Sequence, residues 1–280
     1  MTVADLIEAL PYFRRFSGET IVIKYGGSLM DQPDAMSQFA SDVALLRHVG
    51  VCPIVVHGGG KSISRWMTKL GKQATFVDGL RVTDDDTIEL VEMVLCGQVN
   101  PSVVGMINHW GGKAVGLSGK DARLMVASQS PEMAHLGWVG HVTEVSPALL
   151  HTLTQQGFIP VIASVASNHE GKALNVNADH VAQEIAIAVG AKKLMMLTDV
   201  DGLLLDGSVI PHLPLTRARQ LLTHPEVTGG MKPKLSSAIR SIEAGVGAVH
   251  LINGGIPHAV LVELFTQSGI GTMIERDANG

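Results

Sequence analysis

The hydrophobic and polar positions follow two alternating periods along most of the chain. Short apolar runs bounded by glycine, proline or polar residues predict strands, namely TIVIKY, CPIVVH, KAVGLSG, IPVIAS, KKLMMLTDV and AVHLING. Segments with apolar residues at every third or fourth position predict helices, namely DAMSQFASDVALLRHVG, SISRWMTKLG, HVAQEIAIAVG and KLSSAIRSIEAGVG. Strands that alternate with helices indicate an α/β fold with a mostly parallel sheet.

Two turn-rich segments and the N-terminus depart from this alternation. DGLRVTD and SNHEGKALNV predict hairpins beside the main sheet. The segment VADLIEALPYFRRF places Val3, Leu6, Ile7 and Leu10 at helical spacing, and we expect Pro11 to kink or break that helix. An apolar stripe at a chain end covers either its own domain or another subunit, and both alternatives stay open.

Composition narrows the class of protein. The chain has 280 residues, 46% of them hydrophobic, which is enough for one large domain or two lobes. A net charge of −5 with both signs spread along the chain argues against nucleic acid as the main partner. Cys52 and Cys96 are the only cysteines, so we expect a reducing, cytoplasmic location without disulfides. We expect no signal peptide and no stretch able to span a bilayer.

Glycine clusters mark the expected binding edge of the sheet. Ligands of open α/β sheets bind beyond the carboxyl ends of the strands, and four clusters are expected there: Gly26–Gly27, Gly58–Gly60, Gly229–Gly230 and Gly254–Gly255. The first two end strands and lead into helices, where backbone N–H groups make an anion site. A tight turn would also explain any one of them. None spells the dinucleotide fingerprint or the P-loop, so both of those sites are disfavoured.

Eight motifs occur in a fixed order: VIKYGGSLM, PIVVHGGGKSIS, DGLRVTD, AVGLSGKDARLMVA, LNVNAD, MLTDVDGLL, VTGGMKPKL and GVGAVHLINGG. Together they resemble the amino acid kinase family over nearly the whole chain. Within it they are similar to the branch that phosphorylates N-acetyl-L-glutamate with ATP in arginine biosynthesis. The resemblance implies a three-layer αβα sandwich with two lobes, residues 1–190 for the amino-acid substrate and 191–280 for the nucleotide. ATP and Mg²⁺ are the implied cofactors, and no residue is assigned as a metal ligand.

The resemblance also assigns the catalytic residues. Lys24 and Lys234 match the two lysines that contact the transferring phosphoryl group, and Asp179 matches the aspartate that orients both. The attacking group is already a carboxylate, so it needs positioning and charge neutralisation rather than a general base. Lys232 stands where an apolar residue is common, and the spacing from the glycines favours Lys234. Asp179 directly precedes a helical run, so helix capping alone is the other interpretation.

Binding roles follow from the same motifs. Arg81 would pair with the α-carboxylate of the substrate, because its planar guanidinium binds carboxylates in bidentate fashion. The other implied substrate-binding residues are Gly59, Gly60 and Asn175. The implied nucleotide-binding residues are Gly26, Gly27 and Asp199. His57 is interpreted as a hydrogen-bonded turn residue rather than an acid or base. Lys61 stands where the family usually has proline.

A regulatory role is implied by the N-terminal segment. Arginine-inhibited members of this branch carry an extra kinked helix that interlaces dimers into a hexamer, and VADLIEALPYFRRF is similar to it. L-Arginine is then an expected inhibitor, held by Tyr12, Lys193, Glu263 and Gly269. The implied state is a homo-oligomer, a dimer or a trimer of dimers, with a nitrogen-signalling protein as a candidate partner.

Two other functions stay open. One is a related kinase that acts on an aminoadipate-type substrate. The other is a non-catalytic arginine sensor, against which Lys24, Asp179 and Lys234 together argue.

Overall fold

The computed structural model describes residues 3–277. In chain order its helices and strands are α1 Val3–Phe16, β1 Thr20–Tyr25, α2 Pro33–His48, β2 Cys52–His57, α3 Gly60–Lys69, β3 Phe76–Val77, β4 Leu80–Arg81, α4 Asp85–Val94, α5 Asn100–His109, β5 Ala114–Leu117, β6 Met125–Ser128, β7 Val139–Val145, α6 Ala148–Gln155, β8 Ile159–Ala163, β9 Val165–Ser167, β10 Ala173–Val176, α7 Ala178–Ala188, β11 Lys193–Thr198, β12 Leu204–Leu205, β13 Ser208–Val209, β14 His212–Pro214, α8 Leu215–Leu221, α9 Met231–Glu243, β15 Ala248–Asn253, α10 Ala259–Phe265 and β16 Thr272–Glu275. The strands and helices expected from the sequence are present, and so are both hairpins, β3–β4 and β9–β10.

The main sheet has the strand order β14-β16-β15-β11-β1-β2-β8-β5. Its strands from β15 to β5 are parallel, whereas β16 runs antiparallel to β15 and parallel to β14. β11 begins at Lys193 and pairs with β1, so the sheet is continuous across the boundary expected between residues 190 and 191. The division into two lobes at that boundary therefore stays a prediction.

Side chains on the two faces of the sheet enter two separate cores. Ile21 and Ile23 of β1 pack in one cluster with residues of α2, α5 and α10. Val22, between them, packs in the other cluster with residues of α7 and α9. This alternation follows from the pleat of a strand. Helices therefore cover both faces, and the expected three-layer αβα sandwich is confirmed.

A smaller sheet completes one end of the molecule. Strands β10, β7, β6 and β9 form a closed four-stranded arrangement. A third core cluster joins α3 and α4 to β9 and β10. This end carries Arg81 and Asn175 beside the edge of the main sheet where β1 and β2 finish.

A long helix that the sequence patterns did not predict runs from Asp85 to His109. α4 and α5 are joined within it by a π-helical turn, Leu95–Val99. Pro101 follows that turn and cannot donate a backbone hydrogen bond, which the wider turn accommodates. By length and apolar composition this helix could cross a membrane, so the expectation that no such stretch exists is wrong. Its buried side chains pack into two of the core clusters.

The N-terminal helix continues through Pro11, so the expected break does not occur. Two residues of the predicted apolar stripe, Ile7 and Leu10, are 60% and 48% exposed in the single chain. The side chains of Val3 and Leu6 lie outside the described part. The described half of the stripe thus does not cover its own domain.

Candidate active site and a second polar cavity

Two lysines and one aspartate meet at the carboxyl end of β1. Lys24 Nζ lies 3.0 Å from Asp179 Oδ1, and Lys234 Nζ lies 2.5 Å from Asp179 Oδ2. The lysine side chains are 11% and 22% exposed. Lys232 is exposed, and Lys234 is the residue of the KPK sequence that reaches Asp179. We call these three residues the lysine–aspartate cluster.

Local structure explains how three distant positions converge. Lys24 lies on the same face of β1 as Val22, so it points towards α7. Asp179 lies in the first turn of α7, and the N-cap is Asn177, whose side chain accepts bonds from the N–H groups of Asp179 and His180. The interpretation of Asp179 as the capping residue is therefore wrong. Lys234 lies in the first turn of α9.

The cluster keeps Asp179 ionised and leaves positive charge over. Burial alone would raise the pKa of Asp179, but the Coulombic attraction and hydrogen bonds of Lys24 and Lys234 lower it below its ordinary value. One carboxylate between two ammonium groups leaves an excess of one positive charge. The N-termini of α7 and α9 add partial positive charge at the same place. The site is therefore suited to an anion.

A cavity of about 230 Å³ lies on one side of the cluster. Its lining includes the predicted substrate residues Gly59, Gly60, Arg81 and Asn175. Arg81 is 5% exposed, and its Nη2 donates to Gly60 O and to Ser64 Oγ, each at 2.8 Å. Burial lowers the pKa of Arg81. The guanidinium is held in one orientation at the cavity wall, where a carboxylate is its natural partner.

A second cavity of about 390 Å³ lies on the other side of the cluster. It is lined by Asp199 and by the N-terminus of α9 around Gly230, and it shares Lys24, Gly26 and Gly27 with the first cavity. The predicted nucleotide residues are thus together in one cavity. Gly229–Gly230 precedes α9 rather than following a strand, and Gly230 lines this cavity at the expected edge of the sheet.

Space explains two of the glycines. A Cβ atom on Gly59 would lie 2.5 Å from Leu95 Cδ2. Gly27 has φ of 75°, and a Cβ atom there would lie 3.1 Å from Asp199 Oδ1. A side chain at Gly59 would therefore collide with buried Leu95, and the positive φ at Gly27 disfavours any other residue.

The sequence patterns missed several residues of these cavities. Ser164 follows β8, the neighbour of β2, and lines the first cavity. Thr198 ends β11 and lines the second. Polar residues at the ends of neighbouring parallel strands are a general signal of a binding edge. This signal would have identified both Ser164 and Thr198. Leu95 of the π-helical turn has no such signal.

A third cavity, of about 620 Å³, lies at the opposite end of β11 and brings together Tyr12, Lys193, Glu263 and Gly269. Within it, Lys193 Nζ lies 2.5 Å from His250 Nε2, and His250 Nδ1 lies 2.5 Å from Glu263 Oε1. We call this cavity the Glu263 cavity. Its four predicted residues thus occur in one place.

Burial shifts the pKa of each group in the Lys193–His250–Glu263 chain, and hydrogen bonds reverse that shift at Glu263. It lowers the pKa of Lys193 to about 8 despite attraction from Glu263, and it lowers the pKa of His250. Burial would raise the pKa of Glu263, but the His250 hydrogen bond and backbone N–H groups lower it. Glu263 is therefore an ionised acceptor. Gly269 has φ of 58°, and a Cβ atom there would lie 2.7 Å from Glu263 Oε2.

Within residues 3–277, no group of three or more His, Cys, Asp or Glu side chains is arranged to hold a metal ion. Mg²⁺ that arrives with a nucleotide needs only one or two protein carboxylates, because phosphate oxygens and water supply the other ligands. Asp199 lines the second cavity and is the carboxylate there that could meet such an ion.

Comparisons with known proteins agree with this geometry. The Amino acid kinase family matches residues 19–253. Acetylglutamate kinase from Carboxydothermus hydrogenoformans is 48% identical over 282 residues, which cover 96% of this chain and 96% of that protein. Acetylglutamate kinase from a Nostoc species is 49% identical over 276 residues, covering 97% and 93%.

Solved structures extend the likeness to the fold. N-acetylglutamate synthase from Neisseria gonorrhoeae, complexed with coenzyme A and N-acetyl-glutamate, superposes with a TM-score of 0.88 at 27% identity. The match covers 99% of this chain but 64% of that synthase chain, so this chain spans under two thirds of its length. Carbamate kinase from Giardia lamblia bound to AMP-PNP superposes with a TM-score of 0.69 at 16% identity, which is a likeness of fold alone.

Proposed function

The chain belongs to the amino acid kinase family, and on that premise we propose that it phosphorylates the side-chain carboxylate of N-acetyl-L-glutamate with ATP, in arginine biosynthesis. The relatives that are almost half identical over nearly their whole length carry that activity in their name. The observation that carries the proposal is the lysine–aspartate cluster at the junction of two cavities. One cavity suits a carboxylic acid substrate and the other a nucleotide.

The transfer forms one bond and breaks one. A γ-carboxylate oxygen of the substrate attacks the γ-phosphorus of ATP, and the bond between that phosphorus and the bridging oxygen of ADP breaks. No proton has to leave the nucleophile. The barrier is the approach of two anions and the charge that spreads over the transferring group, so positioning and electrostatic stabilisation supply the catalysis.

We assign residues of this chain to each part of that task. Lys24 and Lys234 face the junction and neutralise the charge on the transferring group, while Asp179 fixes both ammonium groups. Backbone N–H groups of the two glycine loops are donors that need no reorganisation. Arg81 binds the α-carboxylate, and Asn175 lines the same cavity.

Mg²⁺ is part of the proposal, because nucleotide phosphates in such sites carry it. When bound, it neutralises charge on the β- and γ-phosphates. Asp199 is the side chain we propose to face it. A cytoplasmic location stays a prediction, which the two free cysteines support.

A substrate panel tests the activity. Purified chain, ATP and Mg²⁺ are incubated with N-acetyl-L-glutamate, N-acetyl-L-aspartate, an N-acylated aminoadipate or L-glutamate, and hydroxylamine traps any acyl phosphate. We expect hydroxamate and equal ADP release with N-acetyl-L-glutamate. A preference for the aminoadipate would transfer the proposal to that substrate. Absence of hydroxamate with every acid would favour a non-catalytic arginine sensor.

Arginine inhibition is the second part of the proposal. The Neisseria gonorrhoeae synthase has also been solved with L-arginine, and it superposes with a TM-score of 0.84 at 26% identity, covering 99% of this chain and 66% of that one. We propose that the Glu263 cavity binds arginine, with Tyr12, Lys193 and Gly269 around the ligand. Glu263, ionised and buried, is a suitable partner for a guanidinium.

The proposed oligomer depends on α1. Its C-terminal half is attached to the domain, since Phe13 packs edge-on against Phe265 at 4.9 Å, while Ile7 and Leu10 are exposed. Exposed apolar residues beyond an attached segment support a role in joining subunits, as a dimer or a trimer of dimers. Deletion of residues 1–16 is expected to reduce the size of the oligomer in analytical ultracentrifugation. A signalling protein that binds the oligomer stays a candidate partner.

A further inference from the structure

A buried polar pair lies directly behind the Gly58–Gly60 loop. His57, the last residue of β2, is 0% exposed, and Asn100, at the start of α5, is 5% exposed. Asn100 Nδ2 lies 3.0 Å from His57 Nε2 and 2.9 Å from Val161 O. His57 Nδ1 lies 2.8 Å from Gly58 O. Burial of such a polar pair destabilises the folded state unless its donors and acceptors are hydrogen-bonded.

These contacts define the state of the imidazole. Val161 O can only accept, so the atom of Asn100 that faces it is the amide nitrogen, and that nitrogen donates to His57 Nε2. His57 Nε2 therefore carries no proton, and Nδ1–H donates to Gly58 O. Burial lowers the pKa of His57 to about 4, which agrees with a neutral ring. The interpretation of His57 as a hydrogen-bonded turn residue is consistent with this.

The hydrogen bond from His57 Nδ1 to Gly58 O also affects the N–H of the next residue, Gly59. The peptide group between Gly58 and Gly59 is planar and trans, so its C=O and N–H point in opposite directions. A carbonyl held towards the His57 ring turns the Gly59 N–H away from it. The Gly58–Gly60 loop lines the first cavity. The hydrogen bond from the His57 ring to Gly58 O therefore sets the direction of the Gly59 N–H in that loop.

The π-helical turn supports the same loop at a second point. Leu95 and Val99 belong to this turn, and a Cβ atom on Gly59 would lie 2.5 Å from Leu95 Cδ2 and 3.3 Å from Val99 Cγ2. Asn100 follows the turn directly. Single π-helical turns inside α-helices occur frequently at functional sites. Here the turn and the residue after it place Leu95 and Val99 against Gly59 and the Asn100 amide against His57.

We infer that Asn100 is a positioning residue for the phosphoryl transfer, acting through the tautomer of His57 to orient the Gly58–Gly59 peptide. The inference rests on the proposed function, because that function makes the glycine loop a donor to the substrate. Asn100 itself lies among buried side chains and is not among the residues that line either cavity at the lysine–aspartate cluster. Its contribution is to the rate of the chemical step rather than to the affinity for nucleotide.

The main test is Asn100→Asp, which has nearly the same size but no amide donor. The new carboxylate can only accept, and in the neutral ring that burial favours it draws the single proton to His57 Nε2, so Nδ1 no longer donates to Gly58 O. Loss of one aligned donor typically costs about a hundred- to thousandfold in rate, and a misaligned donor less, so we expect kcat to fall about 10- to 100-fold. KM for ATP is expected to stay within about twofold.

Nitrogen-15 NMR of histidine-labelled protein at pH 7 reads the tautomer directly. The wild type is expected to show the Nδ1–H form for the resonance that disappears in His57→Gln. Asn100→Asp is expected to change that form. Asn108→Asp is the matched control, because Asn108 lies on the same helix but bonds to the backbone of Ala114 at the surface. It is expected to keep both kcat and the tautomer.

A second variant acts on Asn100 from outside the cavities. A Cβ atom on Gly116 of β5 would lie 2.0 Å from Asn100 Oδ1, so Gly116→Ala displaces the amide without touching the site. It is expected to lower kcat in the same direction, and it keeps the inference testable if Asn100→Asp does not fold. Circular dichroism and thermal unfolding identify folded variants.

The outcomes separate the two proposals. Wild-type enzyme that is inactive on N-acetyl-L-glutamate would reject the proposed function. Active wild type with unchanged kcat in a folded Asn100→Asp or Gly116→Ala variant would reject the inference alone. A lower kcat with an unchanged His57 tautomer would also reject it, because the loss would then be a general structural effect.

Discussion

The lysine–aspartate cluster and the Glu263 cavity contain similar residue types and support different chemistry. In the first, two lysines contact one carboxylate directly, at 3.0 Å and 2.5 Å. In the second, Lys193 reaches Glu263 only through His250, whose pKa is lowered by burial. The cluster is left with excess positive charge, whereas the Lys193–His250–Glu263 chain is balanced.

That difference in charge balance predicts which ligand each place accepts. An excess cation at the end of a sheet, beside helix N-termini, attracts phosphate. A balanced chain that keeps an ionised, buried carboxylate accepts a ligand that brings its own cation. Residue identity alone would not distinguish the two, since lysine and a carboxylate occur in both.

The largest effect is expected from removal of either lysine of the cluster. Lys24→Ala and Lys234→Ala should each lower kcat about a hundred- to thousandfold, because each neutralises charge that grows in the transition state. Steady-state kinetics with circular dichroism measures it. Lys232→Ala is the matched control, as Lys232 is exposed two residues away. A loss in Lys232→Ala that exceeds the loss in Lys234→Ala would overturn the choice of lysine.

A smaller effect is expected from Arg81, in the first cavity of the same region. Arg81→Lys keeps the charge but loses the planar fork, and hydrogen bonds to charged groups contribute about 1.5–3 kcal/mol, so KM for N-acetyl-L-glutamate should rise about 10- to 100-fold. KM for ATP should change little. Arg65→Lys on α3 is a control of the same chemistry. An unchanged KM for the acid would remove Arg81 from the site.

In the Glu263 cavity, Glu263→Ala should weaken arginine inhibition at least about tenfold, because the guanidinium loses its buried ionised partner. The concentration of arginine for half inhibition measures this, and the ratio of rates with and without arginine separates it from any change in basal rate. Glu275→Ala, which removes a carboxylate at the edge of the same cavity, is the control. Equal sensitivity of Glu263→Ala and wild type would contradict the assignment.

The smallest effect concerns stability in acid. Asp179 has a lowered pKa in the folded state, so its contribution to stability is present above the unfolded pKa and is lost as pH falls through the folded value. Asn at this position does not titrate there. The unfolding temperatures of wild type and Asp179→Asn should therefore differ most at pH 7, by a few degrees for a chain of this size. The two temperatures should converge below about pH 4. Parallel curves would show that folding does not lower the pKa of Asp179.

Each helix or strand that the sequence patterns predicted has residues at its ends that mark where it starts or stops. The strands are apolar runs closed by glycine, proline or a charge, and the helices are bounded by Pro33, Gly50 and Gly71. The helix Asp85–His109 was missed because Gly97 and Pro101 appear as breakers, while the π-helical turn absorbs them. Packing against two separate cores overrides the local preference.

The cluster could not be derived from residue patterns alone. Lys24, Asp179 and Lys234 lie far apart in the sequence, and only the resemblance placed them together. Asp179 was ambiguous because Asn177, two positions earlier, is an equally good cap, and the choice depends on where α7 begins. The Asn100–His57 pair could not be predicted from the sequence for a related reason. It joins the end of β2 to a helix that the patterns did not predict.

The first and second cavities share Lys24, Gly26 and Gly27 at the lysine–aspartate cluster, and this sharing has a kinetic meaning. Where both ligands reach the same junction, the phosphoryl group can pass directly from donor to acceptor without a stop on the protein. The rate law is then sequential, with a ternary complex, and reciprocal plots for the two substrates intersect instead of running parallel. Isotope exchange between ADP and ATP would require the acid substrate to be present.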